Sequence, residues 1–263
     1  MTALPLFTRA IAESWRALLG WSIGIAATVL LYVPLYPSMK SESMQALMDS
    51  LPKELVNTLG YSLATGPGYV ESTYFGLMGF LLLSIAAIAW GTAAVAGDEE
   101  SGGLELTLAH GVGRGRLVLE RTAAVFLRLL GLGLVGSLLV LAFNDAAELE
   151  IKAGNLIAVT GALVGLAMLA GTAAIAVGSL TGRKSFALGA GTAVPVLGYA
   201  INAVANQSQD LDALHAYSPY AWAFGNSPLA DGADWGGLGL LYGFSALLIV
   251  VAVIALSRRD IGV

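Results

Sequence analysis

Six long runs of apolar residues dominate this sequence and decide what kind of protein it forms. A helix that crosses a lipid bilayer needs about 20 mainly apolar residues, and every run is of that length. The runs cover residues 17–36, 74–96, 122–143, 156–180, 186–205 and 237–256. Arg128 is the only charged residue inside any of them. The sequence therefore predicts an all-α integral membrane protein with six transmembrane helices, in which residues 1–263 form a single transmembrane domain.

The overall composition excludes several other classes of protein. Only 12% of the residues are charged, against about 25% in an average soluble domain, so the chain is not an ordinary soluble protein. The net charge is −5 and no basic stripe is present, so we expect no nucleic-acid partner. The chain has no cysteine and only two histidines, His110 and His215, which lie far apart. We therefore expect no metal site and no thiol chemistry.

The basic residues divide unevenly between the two sides of the predicted membrane domain. If the N-terminus is cytoplasmic, ten of the 13 Lys and Arg residues fall on the cytoplasmic side. The other three are Lys40, Lys53 and Lys152. Cytoplasmic loops are enriched in Lys and Arg. We therefore predict a multi-pass protein of the cell (plasma or inner) membrane with both termini in the cytoplasm.

A short amphipathic segment precedes the first run. Its apolar residues recur at helical spacing, and its charged residues occupy the opposite face. The apolar residues are Leu4, Phe7, Ile11, Trp15 and Leu18. This pattern predicts an N-terminal helix that lies in the membrane interface. The alternative is that the segment extends the first spanning helix out of the membrane.

The loop between the second and third runs, residues 97–121, also carries a helical pattern. Ser101 is a candidate N-cap, Leu104 and Leu108 share a face, and Gly111 is a natural stop. Charged residues stand before and after it, namely Asp98, Glu99, Glu100, Arg114 and Arg116. The pattern predicts a short helix over 101–110 that docks into a groove of a partner. The alternative is a solvated turn whose charges only set the topology.

The connection from residue 206 to residue 235 contains four aspartates, five aromatic residues and no Lys or Arg. Aromatic residues at a membrane boundary are usually interface anchors. The other long connection on the same side, 38–73, is expected to lie on the outer interface.

Pairs of glycines four residues apart occur in several of the runs. Such pairs lie on one helix face and let two backbones approach closely. They are Gly20 with Gly24, Gly161 with Gly165, Gly178 with Gly182, and Gly239 with Gly243. They predict a compact helical bundle and identify no function.

The loop 97–121 resembles the cytoplasmic loop of type-2 ABC exporter permeases. The resemblance rests on Glu99-Glu100-Ser101-Gly102, Leu104-Glu105 and Arg114-Gly115-Arg116-Leu117. Three further segments agree with it: Leu51-Pro52-Lys53-Glu54-Leu55, Ser218-Pro219-Tyr220 and Arg258-Arg259-Asp260. The resemblance thus extends over nearly the whole chain.

This resemblance implies a permease that pairs with a second permease subunit, identical or related, and with two copies of an ATP-binding cassette ATPase subunit. It implies that the chain couples to the ATPase through Glu99, Glu100, Gly102, Leu104, Glu105, Leu108, Arg114 and Arg116. The family suggests that residues 206–235 contain a short re-entrant hairpin that caps the exit of a translocation path, with its helices broken by Pro219 and Pro228. It places the second and fifth helices along this path. The path residues are then Phe75, Met78, Leu82, Thr192, Pro195 and Tyr199. A path of this composition suits a hydrophobic or amphiphilic substrate, such as a drug, an antibiotic or a lipid-like molecule.

The chain has no phosphate-binding loop of its own, because its nearest string, residues 178–185, has the wrong spacing. We therefore expect no enzyme activity and no cofactor on this chain, with ATP and Mg²⁺ bound by the partner subunit. A secondary transporter usually carries Asp, Glu or His within its spans, and the six runs contain none. A membrane anchor or assembly protein that transports nothing is an alternative, since it needs only helices and a docking loop.

Overall fold

The computed structural model describes residues 5–39 and 65–259, and this part of the chain is built from helices joined by short connections. Six helices are long and apolar enough to cross a membrane. They are α2 (Trp15–Ser38), α3 (Gly66–Glu100), α5 (Arg114–Phe143), α6 (Ala153–Thr181), α7 (Lys184–Ala205) and α10 (Trp235–Arg258). Each predicted run lies inside one of these helices, so the prediction of six spans is confirmed.

The shorter helices lie at the two ends of this bundle. One end carries α1 (Pro5–Glu13) and α4 (Gly103–Ala109), and we call it the α4 end. The other end carries a 3₁₀ helix (Gln209–Tyr217) followed by α8 (Pro219–Phe224) and α9 (Pro228–Asp231). We call α8 and α9 together the hairpin, and this end of the bundle the hairpin end.

Helix α6 is the centre of the bundle. It packs against α3, α5, α7 and α10, and 89% of its apolar stretch is buried. Small residues make this possible, because a helix rich in Gly and Ala lets its neighbours approach closely. At the crossing with α3, a Cβ added at Gly91 would lie 2.5 Å from the carbonyl oxygen of Gly171. Only glycine fits at that position.

The predicted glycine pairs do not all serve this packing. A Cβ at Gly165 would meet the ring of Tyr242, and one at Gly178 would meet Ala96. A Cβ at either member of the pairs Gly20 with Gly24 and Gly239 with Gly243 would meet nothing within 4 Å in the described structure. The α6 glycines therefore pack the bundle, whereas the pairs on α2 and α10 do not.

Helix α3 begins earlier than predicted and is not wound uniformly. It starts at Gly66 rather than at residue 74, because the Thr65 side chain caps it by accepting the N–H of Gly68 at 3.2 Å. Two segments, Glu71–Gly79 and Ala93–Gly97, are π-helix. In a π-helix the hydrogen bonds run from i to i+5, so the side chains that follow are rotated relative to an α-helix.

Buried side chains form two clusters. The larger one fills the middle of the bundle and includes Tyr74, Phe75, Leu83 and Leu163. The smaller one lies at the α4 end, and we call it the α4 cluster. Its buried members are Val95, Leu104, Leu117, Val118, Ile175, Ala176, Ala252 and Leu256. The α4 cluster therefore joins α4 to the ends of four spanning helices, α3, α5, α6 and α10.

The amphipathic N-terminal segment forms the separate helix α1. The break from α2 falls at Ser14, whose Oγ donates to the carbonyl of Ile11 at 2.9 Å. Phe7 and Ile11 are half-buried, whereas Trp15 is exposed. Leu4 lies outside the described residues. The segment therefore does not form one continuous extension of the first spanning helix, which was the alternative interpretation. The position of α1 in the membrane interface stays a prediction.

Two charged residues of α5 hold α1 at both of its ends. Glu120 is buried, and its Oε2 accepts the N–H groups of Leu6 at 2.9 Å and Phe7 at 3.0 Å. The Arg128 guanidinium donates to the carbonyl of Ala10. A carboxylate at the start of a helix and a cation towards its end both complement the helix dipole. The contact with α1 thus explains why Arg128 is the one charged residue within the apolar runs. We call the contacts of Glu120 and Arg128 with α1 the α1 clamp.

Candidate coupling segment and transport groove

Two glycines set the bounds of α4. Gly102 precedes it with φ of +75° and Gly111 follows it with φ of +80°, a backbone region that favours glycine. Ser101 does not cap the helix as predicted. Its Oγ instead donates to the carbonyl of Asp98 at 3.0 Å and closes the end of α3. The helix is therefore shorter than the predicted 101–110.

The apolar face of α4 points into the subunit and not towards a partner. Leu104 is fully buried in the α4 cluster, and Leu108 packs against the same cluster. The outward side carries Glu105 and Leu106, and Leu106 is 67% exposed. Leu104 and Leu108 are thus occupied by contacts within the chain, which corrects the expectation that they form the free docking face. The face available to a partner is the one that carries Glu105 and Leu106.

The acidic residues before α4 connect the helix ends with one another. Asp98 forms an ion pair with Arg121 at 2.5 Å, and Glu99 forms one with Arg259. The Glu100 carboxylate accepts the N–H of Lys184 at 2.7 Å. The end of α3 is thereby joined to α5, to the start of α7 and to the segment after α10. These contacts make the α4 end one connected unit.

The arginines after α4 take part in the same network. Arg114 donates to the carbonyl of Arg259 at 2.7 Å. Arg116 forms an ion pair with Glu120 at 2.6 Å and is therefore linked to the α1 clamp. The predicted coupling residues thus lie around α4, and most of their charged groups have partners inside the subunit. Their role in coupling stays a prediction.

An apolar groove of about 610 Å³ runs between α3 and α7. From α3 it is lined by Phe80, Leu81, Ser84, Ile85, Ile88 and Ala89, and from α7 by Leu188, Thr192, Pro195, Val196, Tyr199 and Ala200. No charged residue is among these. The volume lies within the range of about 300–1,000 Å³ that is typical of small-molecule sites.

The predicted path residues divide between the groove and the interior. Thr192, Pro195 and Tyr199 of α7 line the groove. Phe75 is fully buried in the larger cluster, with its ring 4.8 Å from that of Tyr74. Met78 and Leu82 are half-buried and lie outside the groove lining. The face of α3 that lines the groove instead carries Phe80, Ser84 and Ile88. Phe75 and Met78 lie in the π-helix Glu71–Gly79, where the spacing of side chains differs from that of a regular α-helix. The transport role of all these residues stays a prediction.

The connection from 206 to 235 contains two short helices, α8 and α9, which are joined by a turn. Pro219 and Pro228 lie in the first turns of α8 and α9, where proline is well tolerated. They therefore begin the helices and do not break them as expected. Tyr217 and Trp235 are 72% and 80% exposed, as interface anchors are. The position of this segment relative to the membrane, as a re-entrant hairpin or as an interface anchor, stays a prediction.

Hydrogen bonds fasten the hairpin to the bundle. Ser218 caps α8 by accepting the N–H of Ala221 at 3.0 Å, and its Oγ donates to the carbonyl of Gly198 at 2.7 Å. The Tyr220 hydroxyl donates to the carbonyl of Gly76 at 2.9 Å. Burial raises the pKa of the Tyr220 phenol above its ordinary value, so the group stays protonated and able to donate.

Glu71 is the functional candidate that the sequence reasoning missed. It was assigned to the loop before the second run, but it lies within α3 and only 7% of its surface is exposed. Its Oε2 accepts the N–H of Leu229 at 2.7 Å, which ties α3 to α9. The signal that could have placed it is Thr65-Gly66-Pro67, a capping residue followed by proline, which marks a helix start before Glu71.

A second cavity of about 970 Å³ lies at the hairpin end, and we call it the hairpin cavity. Glu71, Tyr199, Asn202, Tyr220 and Asp234 are among its lining residues. Tyr199 lines both cavities. Its ring lies 6.4 Å from that of Phe80 and 5.2 Å from that of Tyr220. These three aromatic rings therefore stand at the boundary between the apolar groove and the hairpin cavity.

Residues 5–261 match the model of the ABC-2 family of transporter proteins. The chain belongs to this family. It is accordingly a membrane subunit of an ABC transporter, the class that works with a separate ATP-binding subunit. The resemblance noted in the sequence is thereby confirmed at the level of the family. A comparison with curated proteins gives no match.

Proposed function

We propose that this chain is the permease of an ATP-driven exporter and that the groove between α3 and α7 forms its half of the translocation path. The groove is the observation that carries the proposal, because it combines the volume of a small-molecule site with an uncharged lining. Such a lining suits a hydrophobic or amphiphilic substrate, for example a drug, an antibiotic or a lipid-like molecule. A second permease subunit supplies the other wall of the path.

We propose further that the assembly contains two copies of the ATP-binding subunit. One copy docks on each permease subunit, and on this chain it docks on the outward face of α4, which carries Glu105 and Leu106. The packing behind that face supports this assignment. Leu104 anchors α4 in the α4 cluster, and the ion pairs of Asp98 and Glu99 bind the neighbouring helix ends together. A displacement of α4 therefore moves the ends of several spanning helices at once.

The α4 end is assigned to the cytoplasm of a cell-membrane protein. Three contacts support the grouping of both termini there: Glu120 binds the start of α1, Arg114 binds the carbonyl of Arg259, and α4 lies beside both. Ten of the 13 basic residues are on this side of the bundle, as the enrichment of Lys and Arg in cytoplasmic loops requires. The hairpin then faces outward, at the exit of the path.

The buried carboxylate of Glu71 is an observation that favours one other function for this protein. A buried carboxylate in a spanning helix is a usual feature of proton- or ion-coupled carriers, and the runs chosen from the sequence contained none. An ATP-independent secondary transporter is therefore the second candidate. The two candidates differ in their need for ATP, so one experiment separates them.

The experiment uses inside-out vesicles that contain the permease together with its ATP-binding subunit. Uptake of Nile red and ethidium is followed with ATP, without ATP and with a proton gradient alone. The exporter requires ATP-dependent uptake, and uptake driven by the gradient without ATP would identify a secondary transporter instead. No uptake of either dye under any condition, with the complex intact, would favour the non-transporting anchor.

The groove itself is tested by Thr192→Trp, which places a large ring in the lining of α7 without adding charge. We expect it to abolish ATP-dependent uptake while expression stays normal. The matched control is Leu138→Trp, because Leu138 is 62% exposed on α5 and lies outside the groove. Uptake that survives Thr192→Trp would show that the route runs elsewhere.

A further inference from the structure

The apolar groove and the hairpin cavity meet at Tyr199, and their chemistry differs sharply. No charged residue is among the described residues that line the groove. The hairpin cavity is lined by the acids Glu71, Asp212 and Asp234, with His215 as the only imidazole, and no Lys or Arg is among its described lining residues. A molecule that extends from one cavity into the other therefore passes from an apolar to an acidic environment.

The three acids are not equivalent. Asp234 is used to cap α10, since it accepts the N–H groups of Gly236 and Gly237. Asp212 contacts His215 at 3.0 Å. These two carboxylates therefore have structural roles within the chain. The Glu71 carboxylate is the one whose role these contacts do not explain.

Glu71 is buried and only partly satisfied. Its Oε2 accepts one backbone N–H, from Leu229, whereas its Oε1 has no hydrogen-bond partner among the described residues. No Lys or Arg in the described part of the chain forms an ion pair with it. Burying a carboxylate without a cationic partner is costly. A positive charge in the hairpin cavity would remove that cost.

Aromatic rings surround the same space. Tyr199, Tyr220, Trp222 and Phe224 all line the hairpin cavity. The faces of such rings attract cations, and the attraction grows when the cation is desolvated. A carboxylate next to several aromatic rings is a combination that favours a soft organic cation over an anion or a neutral group.

We infer that the substrate is a cationic amphiphile, whose apolar body lies in the groove and whose positive group is received by Glu71 and the aromatic rings of the hairpin cavity. This inference rests on the proposed function, because it assigns the substrate class of the same path. Tyr199 belongs to both cavities and is the position at which the apolar and the charged parts of such a molecule meet.

The test compares two probes of the same shape and opposite charge, tetraphenylphosphonium and tetraphenylborate. Equilibrium binding is measured on the purified complex in detergent, and empty micelles supply the correction for partitioning. We expect the complex to bind the phosphonium at least about tenfold more tightly, as a charge-assisted contact provides. Equal binding of the two ions, or tighter binding of the borate, overturns the inference without the need for any variant.

The variant Glu71→Gln tests whether Glu71 is the residue that makes the complex prefer the phosphonium to the borate. The amide oxygen still accepts the N–H of Leu229, so the contact with α9 is kept while the charge is lost. We expect phosphonium binding to weaken by about tenfold and borate binding to change little. The matched control is Asp145→Asn, which removes an exposed carboxylate at the same end of the bundle, outside the cavity, and which we expect to leave both affinities unchanged. A folded Glu71→Gln complex that keeps the full preference refutes the role of Glu71.

These outcomes are distinguishable from a failure of the proposed function. If Nile red, which is neutral, is taken up with ATP and the two ions bind equally, the proposed exporter function is supported and the inferred cationic substrate class is wrong. If the phosphonium is preferred and no probe is taken up with ATP, the binding site stands and the exporter function is wrong.

Discussion

Leu104 and Leu106 lie on opposite sides of α4, so substitutions at these two positions separate folding from coupling. Leu104 is fully buried, and Leu→Ala at a buried site costs about 2–5 kcal/mol. One kcal/mol lowers the unfolding midpoint by about 2–4 °C in chains of 150–250 residues. Leu104→Ala should therefore lower the midpoint by roughly 4–20 °C. Leu106 is 67% exposed, and Leu106→Asp should change the free energy of unfolding by less than about 0.5 kcal/mol.

The assay has two readings on the same purified protein. The midpoint of thermal unfolding of the permease reports the fold, and co-purification of the ATP-binding subunit reports the docking. We expect Leu104→Ala to lower the midpoint and Leu106→Asp to prevent co-purification at a normal midpoint. Leu104→Met is the control, because it keeps the buried volume and should cost less than about 1.5 kcal/mol. The reasoning is refuted if Leu106→Asp still co-purifies with the ATP-binding subunit, or if Leu104→Ala leaves the midpoint unchanged.

Two further predictions test the topology and the core. Single cysteines that replace Lys184 and Asp231 in this cysteine-free chain should react differently with an impermeant thiol reagent on intact cells. We expect position 231 to be labelled and position 184 not to be labelled. The opposite pattern would show that the orientation in the membrane is the reverse of the predicted one. Gly136→Ala should lower the free energy of unfolding by about 1–3 kcal/mol, because the added Cβ would overlap with the Tyr74 hydroxyl. That hydroxyl has no hydrogen-bond partner in the described structure, so Tyr74→Phe should be neutral and should reduce the cost of Gly136→Ala. Equal unfolding costs in both backgrounds would show that the two positions are not coupled.

The spans were predictable because hydrophobic length is a property of the sequence alone. The end of α4 at Gly111 was predictable as well, since a positive φ angle is a local requirement that glycine meets. The amphipathic N-terminal segment was recognisable for the same reason. What these features have in common is that each depends only on residues close in the chain.

The features that sequence reasoning missed depend on tertiary contacts. An apolar face on a short helix indicates that something covers it, and the sequence does not say whether that is a partner or the chain itself. For Leu104 it is the chain's own α4 cluster. The winding of Glu71–Gly79 as π-helix likewise has no local signature, and it changes the spacing of side chains at Phe75 and Met78, two of the predicted path residues. The burial of Glu71 follows from both its helix start and the contact with α9.

The α1 clamp joins residues that leave the ribosome at very different times. Glu120 follows Leu6 by 114 positions, and Arg128 follows Ala10 by 118. At a synthesis rate of about 5–20 residues per second, roughly 6–24 s pass before the partners of α1 exist. During this interval α1 lacks its Glu120 and Arg128 contacts, and a lipid surface is an environment that its amphipathic pattern suits. We therefore expect the same nine residues to meet two environments in succession during biosynthesis, first the membrane surface and then helix α5.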